Sequence, residues 1–400
     1  MSANILQIKR SVGFEDDIIS HQYHTYTPYS TAFSSNDEMR ITIQSQDLYV
    51  LPSDSYLQIE FTPEKRDGTD FGMEEAFFTY NFISFMFSEM RYELNGFEID
   101  RCKKPAITSN MKCMIACKES DKKIYDMLIL NSQQPIEKKT YSMILPLRFV
   151  FGFCDDFNKI ILNCKHELIL VRNRSDVDVF TAATDLLKLT MNKIHWKVPH
   201  ITLSDKAKLV MLKTVSHNDS LSLAYRSWDL YELPFVPQTT RHSWSVKTTT
   251  QVTKPRFVVV AFQTNRNLVP LSDASLFDSC NISNVKLYMN NERYPYDDWN
   301  LDFANKNYHE LYYALTKIQR SYYNDNVNPL NVSYESFALR PLFAFDCSRT
   351  DESIKSTMVD IRIEIEANKN IPGLTSAYCL IIHDNLVRYS PFTSIVHRVV

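Results

Sequence analysis

Glycine is scarce: the 400-residue chain holds 6, against the roughly 7% of an ordinary protein. Loops that cradle phosphate through close backbone approach need several glycines at fixed spacing. The close pair Gly68 and Gly72 has no third glycine and no following Lys-Ser/Thr, which excludes Rossmann and Walker nucleotide chemistry. Asparagine, which tolerates positive φ, is expected to do the turn work instead. Paired cysteine motifs are missing too. None of Cys102, Cys113, Cys117, Cys154, Cys164, Cys280, Cys347 and Cys379 falls in a C-x-x-C pair, so zinc-ribbon and thioredoxin readings fail on spacing, and reduced, buried thiols inside a cell are the expected state. No apolar run approaches 18 residues, Phe257–Phe262 being typical, so no membrane span is expected. Met1 to Gly13 lacks the order and length of a signal peptide. Charge of one sign is also absent: 44 basic and 47 acidic side chains leave −3, which argues against a polybasic nucleic-acid coat. What remains is ample apolar mass, 44% hydrophobic and 12% aromatic, in a length that suits two or three domains.

Residues 1–36 read as an extended N-terminal arm, because His21, Tyr23, His24, Tyr26, Pro28 and Tyr29 sustain no apolar period. From Met39 the period becomes two, in Ile41 and Ile43 and again in Leu57, Ile59 and Phe61, the signature of half-buried strands. Tyr92 and Leu94 alternate into Asn95-Gly96, and Phe97 and Ile99 alternate away; that dipeptide supplies the two positive φ values of a type I′ hairpin. Short helices are expected at Ile107–Lys118 and Ile124–Leu128, then strands at Tyr141–Phe153, Ile161–Val171 and Ile194–Val198. A short capped helix behind Ser204 and Asp205 marks the expected boundary between domains at 37–202 and 203–400.

The second half repeats the programme of the first. Val285, Leu287 and Met289 alternate into Asn290-Asn291, and Asn290 follows Asn95 by 195 residues. Pro341, in RPLFAF, follows Pro146, in LPLRFVF, by the same 195. A helix with the stripe Tyr308, Leu311, Tyr312, Leu315 and Ile318 comes next, then a strand with Val359, Ile361, Ile363 and Ile365 alternating with charge. A period this long means tandem domains. Each copy has room for eight strands in two packed sheets, so the expected fold is all-β: two tandem eight-stranded antiparallel jelly rolls with short connecting helices.

Chemistry-bearing patterns are sparse. His21 and His24 form H-x-x-H without a third ligand, which disfavours a metal site. Cys113 and Cys117, four apart on a helix, suit core packing better than a metal or redox pair. Glu74-Glu75, Asp155-Asp156 and Asp297-Asp298 raise an acid/base pair, but such carboxylates must face each other across a substrate, and turn placement is the simpler reading. Four Asn-x-Ser matches, at Asn173, Asn218, Asn281 and Asn331, are chance in an Asn-rich chain. The basic pairs Lys103-Lys104, Lys122-Lys123 and Lys138-Lys139, with Arg172 and Arg174, are scattered.

Four segments of the second half, Arg241–Gln251 (RHSWSVKTTTQ), Lys254–Arg266 (KPRFVVVAFQTNR), Cys280–Phe303 (CNISNVKLYMNNERYPYDDWNLDF) and Thr375–Pro391 (TSAYCLIIHDNLVRYSP), carry a family likeness. The chain resembles the double jelly-roll capsid-like proteins of Polinton-type and adintovirus-type DNA elements, including copies in arthropod genomes; the first half joins through the internal repeat. The resemblance implies a major capsid protein of a DNA virus with no active site, cofactor or metal. Three chains would form a homotrimer, a pseudo-hexameric capsomer that self-assembles into an icosahedral shell. It implies a separate vertex (penton) protein, non-specific contact with packaged DNA, and a location in the virion after an intracellular stage. The arm, with Tyr23, Tyr26 and Tyr29, would strap neighbouring capsomers, and Tyr294, Tyr296 and Trp299 would make contacts on the second roll. The alternatives are a carbohydrate-binding or glycan-active two-domain β-sandwich protein, and a domesticated capsid descendant.

Overall fold

The computed structural model describes residues 17–30, 32–44, 49–68, 76–117, 121, 124, 135–182, 187–216, 220–246, 255–266, 272–290, 292–322, 333–349 and 359–399. Sixteen strands among them carry the architecture. The first eight are β1 (Ile18–Tyr26), β2 (Glu38–Ile43), β3 (Tyr56–Lys65), β4 (Phe87–Leu94), β5 (Phe97–Lys103), β6 (Tyr141–Pro146), β7 (His166–Arg172) and β8 (Leu187–Leu203). The second eight are β9 (Leu221–Leu233), β10 (Arg241–Val246), β11 (Pro255–Thr264), β12 (Ile282–Met289), β13 (Glu292–Tyr294), β14 (Phe343–Asp346), β15 (Ile361–Ala367) and β16 (Thr375–Ser390). Four helices matter below: α1 (Pro105–Ala116), α2 (Gly152–Asp156), α3 (Asp205–Ser216) and α4 (His309–Tyr322).

The first eight strands form two antiparallel sheets ordered β1-β8-β3-β6 and β2-β7-β4-β5. The second eight form β9-β16-β11-β14 and β10-β15-β12-β13. Every strand of the second set occupies the place of the strand eight earlier in the first, which makes two jelly rolls of one topology. Short strands extend the pattern, Tyr49–Val50 on β8 and Ile395–Arg398 on β16.

Alternation dictates most of these strands. On β3, Leu57, Ile59 and Phe61 are buried between the sheets while their neighbours are half exposed; β15 does the same with Ile361, Ile363 and Ile365. The middle of β11 breaks the rule, because Phe257–Phe262 are all buried. A strand that reads as a continuous apolar run is covered on both faces. At one end of the run Phe257 packs 5.5 Å from Tyr322 of α4.

Several expectations need correction. Residues 18–26 are not a free arm: β1 pairs with β8 from Ile18↔Leu203 to Tyr26↔Trp196. This edge strand is held by its backbone ladder and buries little apolar surface, so it leaves no hydrophobic period in the sequence. The strand expected over 141–153 stops at Pro146, after which the chain makes a 3-10 turn at Leu147–Phe149 and enters α2. The strand expected from Ile161 begins at His166; Ile161 makes only an isolated bridge to Val50. The two prolines of the repeat are not equivalent either. Pro146 ends β6, whereas Pro341 precedes β14, so their equal spacing is coincidence. The helix expected at Ile124–Leu128 falls almost wholly outside the described residues.

Candidate assembly surface

The two rolls are locked along a seam built by α1, α2, α4 and β9. Every residue of α1 is buried. At its centre the Lys112 ammonium lies 2.8 Å from Asp155 Oδ2 of α2 and 4.5 Å from the Trp228 ring of β9. The next carboxylate, Asp156, accepts from the backbone N–H of Arg226 at 2.9 Å and from its Nε at 2.8 Å. The same guanidinium stacks 3.6 Å from the Tyr322 ring and donates to the Tyr322 carbonyl at 2.8 Å. Burial alone would pull the Arg226 pKa down, but its hydrogen bonds to Asp156 carry it above its usual value. Gln319 of α4 donates to the Met114 carbonyl of α1 at 2.9 Å, and the Tyr389 hydroxyl donates toward the Leu162 and Asn163 carbonyls. Charge-assisted bonds made in a low dielectric are strong and directional. The bonds of Arg226 with Asp156, Gln319 with Met114, and Tyr389 with Leu162 and Asn163 cross the seam and fix the orientation of one roll against the other.

The six aromatic residues expected to mediate assembly fall into two groups. Tyr29 and Tyr296 are 84% and 90% exposed, and Tyr23 is about half exposed, its ring 5.4 Å from Tyr56. The other three are committed inside the chain. Tyr26 packs on the core with its hydroxyl 3.0 Å from His200 Nε2. Tyr294 donates to Glu292 at 2.7 Å, and Trp299 stacks 5.4 Å from Phe345. Of the exposed three, Tyr23 lies on β1 and Tyr29 just beyond it in the first roll, and Tyr296 follows β13 in the second. Sequence reasoning missed Leu209, Val210 and Leu212, all exposed on α3 between the rolls, and Phe235 and Leu374, exposed beside the paired Val236 and Thr375. The signal in α3 was its Leu-Val-Met-Leu run, more apolar side chains in succession than one buried helix face accepts.

The topology and the seam describe two copies of one eight-stranded unit in a single chain. The family described as "Double jelly roll-like domain" matches residues 77–387. The chain belongs to that family. Its fold extends over full-length double jelly rolls of known structure. VP54 of PBCV-1, fitted into a cryo-EM reconstruction of the virophage Sputnik, superposes with a TM-score of 0.63 at 8% identity, covering 98% of this chain and 99% of that one. The Sputnik virophage structure gives 0.62 at 12% identity, covering 100% and 92%. The major capsid protein of mavirus gives 0.55 at 8% identity, covering 100% and 93%. No curated protein sequence matches the chain.

Within this double jelly roll the residues considered for chemistry serve structure. Asp155 is bound to Lys112 within the first roll, and Asp156 to Arg226 across the seam. Asp298 is bound by Arg293 and lies 3.2 Å from Lys286, while Glu74 and Glu75 lie outside the described residues. His21 and His24 stand three apart on β1, hence on opposite faces, and His24 stacks on His200 at 4.2 Å. Cys113 and Cys117 are buried, and burial pushes their thiols up, Cys117 to about 11. Arg172 is also buried, held by Asp176 and the Met86 carbonyl, and Lys104 is held by Glu232 at 2.6 Å.

Proposed function

We propose that this chain is a major capsid protein. Three copies close into a homotrimer whose six rolls outline a near-hexagon, and trimers tile an icosahedral shell. One observation carries the reading: the chain holds two rolls of identical topology, joined side by side by the Asp156–Arg226 ion pair and by the Lys112 ammonium over the Trp228 ring. A rigid pair of this kind, repeated by a closed threefold axis, gives six equivalent towers without open-ended growth. The likeness in fold to the capsid of PBCV-1 and to the major capsid protein of mavirus supports the same reading.

The exposed Tyr29, Tyr296 and Tyr23 are the contact residues of this proposal, and the N-terminal arm, residues 1–36, is its strap, anchored to the first roll through β1. Hexagonal units cannot close a shell without fivefold vertices, so a separate penton protein is a partner. Non-specific contact with packaged DNA belongs to the same proposal, as do a location in the virion and descent within the Polinton and adintovirus lineage. Solution mass and negative-stain imaging test it. The expected result is three chain masses in solution and closed particles at higher concentration, with Tyr296→Ala weakening association while the melting curve stays unchanged. Monomers that persist at high concentration overturn it.

A further inference from the structure

A cavity of about 250 Å³ opens at one end of the seam, with Phe85 and Phe87 from the first roll and Tyr378 from the second among its walls. That volume is just under the roughly 300–1,000 Å³ of sites for drug-sized ligands, so it admits a group of a few heavy atoms. Polar side chains at the cavity are mostly spent. Gln263 donates to the Ala274 and Leu276 carbonyls, and Asn173 to the Phe85 carbonyl.

The charges decide what the cavity selects. Lys104 is paired with Glu232 at 2.6 Å, and Arg266 with Asp278 at 2.8 Å. The remaining Nε of Arg266 is buried beyond the reach of solvent. Asp178, in the turn Val177–Val179, also lines the cavity. Among the described residues no hydrogen bond or ion pair joins its carboxylate to another residue; Lys104 acts on it through space. Burial pushes its pKa up to about 6 in spite of Lys104. Against a cation stand the Lys104 ammonium, already shared with Glu232 and lying 5.5 Å from the centre of the Tyr378 ring, the Arg266 guanidinium, neutralised by Asp278, and the partial positive charge at the N-terminus of α1. In favour stands the Asp178 carboxylate, which has no direct ion-pair partner among the described residues, while Phe85, Phe87 and Tyr378 supply apolar wall.

We propose that this cavity binds an alkylammonium group on a short apolar stem, the ammonium on the Asp178 carboxylate and the stem against Phe85, Phe87 and Tyr378. Two sources share this chemistry, a free small amine and a lysine side chain of a neighbouring copy. The free-amine arm is independent of the capsid reading. The ligand binds the ionised form of Asp178, so affinity is expected above about pH 6 and lost below it.

Calorimetric titration of the full chain with n-butylammonium, against the neutral 1-butanol, tests the site. At about pH 8 the ammonium is expected to bind at least about tenfold more tightly than the alcohol, with the preference gone at about pH 5. Asp178→Asn is expected to lose the same factor while its melting curve stays close to that of the parent. Equal binding of alcohol and ammonium by the parent chain overturns the proposal even if the variant fails to fold. If the amine does not bind, the lysine arm requires Asp178→Asn, or the parent chain at about pH 5, to weaken association between copies in sedimentation. Unchanged association in both then overturns the proposal outright.

Discussion

Asn95 and Asn290 stand 195 residues apart and make the same two hydrogen bonds. Each has a positive φ, 50° and 53°. Each donates its backbone N–H to the carbonyl of the residue before the seventh strand of its roll, Lys165 or Asp360, at 2.9 Å. Each then accepts that residue's N–H on its side-chain oxygen, at 2.7 and 2.9 Å. Lys165 and Asp360 are themselves 195 apart, and the pairings Leu94↔His166 and Met289↔Ile361 keep the same offset. A hairpin, its neighbouring strand and the bond between them have thus kept one register through both copies.

Replacing either asparagine by alanine is expected to remove a hydrogen bond and force a β-carbon residue without local compensation into left-handed geometry, about 2 kcal/mol together. Asn290→Gly keeps the geometry and loses the side-chain bond to Asp360, about 1 kcal/mol, while Asn95→Gly also loses the exposed bond from its amide to the Ser394 carbonyl. Denaturant titration should rank alanine below glycine at both sites. Opposite rankings in the two rolls would mean that the turns are not equivalent.

Strands that bury one face were legible because their side chains alternate. The Asn-Gly hairpin was legible because Gly96 and Asn95 both need positive φ. The strand β1 was not, since an edge strand satisfied by backbone bonds needs no apolar alternation. The seam was invisible for a different reason. Lys112, Asp155 and Trp228 lie on three separate elements, and nothing local in α1 announces that its lysine is buried. Tyr296 and Tyr294 sit two residues apart with like flanks, yet only the first is free for a partner; burial is a property of the packed roll.

The Lys112 pair should behave as a buried ion pair does. Lys112→Ala leaves the Asp155 carboxylate in the seam without its ammonium, at a cost of about 3–5 kcal/mol. The double variant Lys112→Met with Asp155→Leu removes both charges, and most of that loss should return. A thermal-denaturation cycle over the two singles and the double measures the coupling; additive losses would contradict a direct pair.

Acid should loosen the first roll. Burial holds the imidazoles of His166 and His200 neutral, lowering them to about 3 and about 4, while the unfolded chain takes up protons near 6.5. Stability from these groups is therefore complete above about pH 6.5 and is lost as pH falls toward 4, by a few kcal/mol for the fully buried His166. Asp100 has the opposite sign. Burial raises it to about 7, so its contribution declines as pH rises from about 4 to 7 and cannot cause an acid limb. Because His200 contacts both His24 and Tyr26, hydrogen exchange near pH 5 should release β1 before the sheets behind it. His200→Gln should flatten that acid response, and an unaltered pH profile would rule the clamp out.

Two glycines offer a matched pair of alanine substitutions. A β-carbon at Gly152 would lie 1.7 Å from the Arg226 carbonyl oxygen and 3.0 Å from Trp228 Nε1. The obstacle is backbone, and that backbone is anchored because the Arg226 N–H is bonded to Asp156 in the same short helix. Neither side can yield without opening the seam, so Gly152→Ala is expected to cost about 3 kcal/mol or more. At Gly373 the nearest atom is the side-chain amide nitrogen of Gln238, 2.8 Å away. The far end of a flexible side chain turns aside easily, so Gly373→Ala should stay within about 1 kcal/mol of the parent. Melting curves of the two variants compare the cost directly. A tolerated Gly152→Ala would mean that α2 and β9 are not in backbone contact, and the rolls would then lose the rigid pairing on which a six-towered trimer depends.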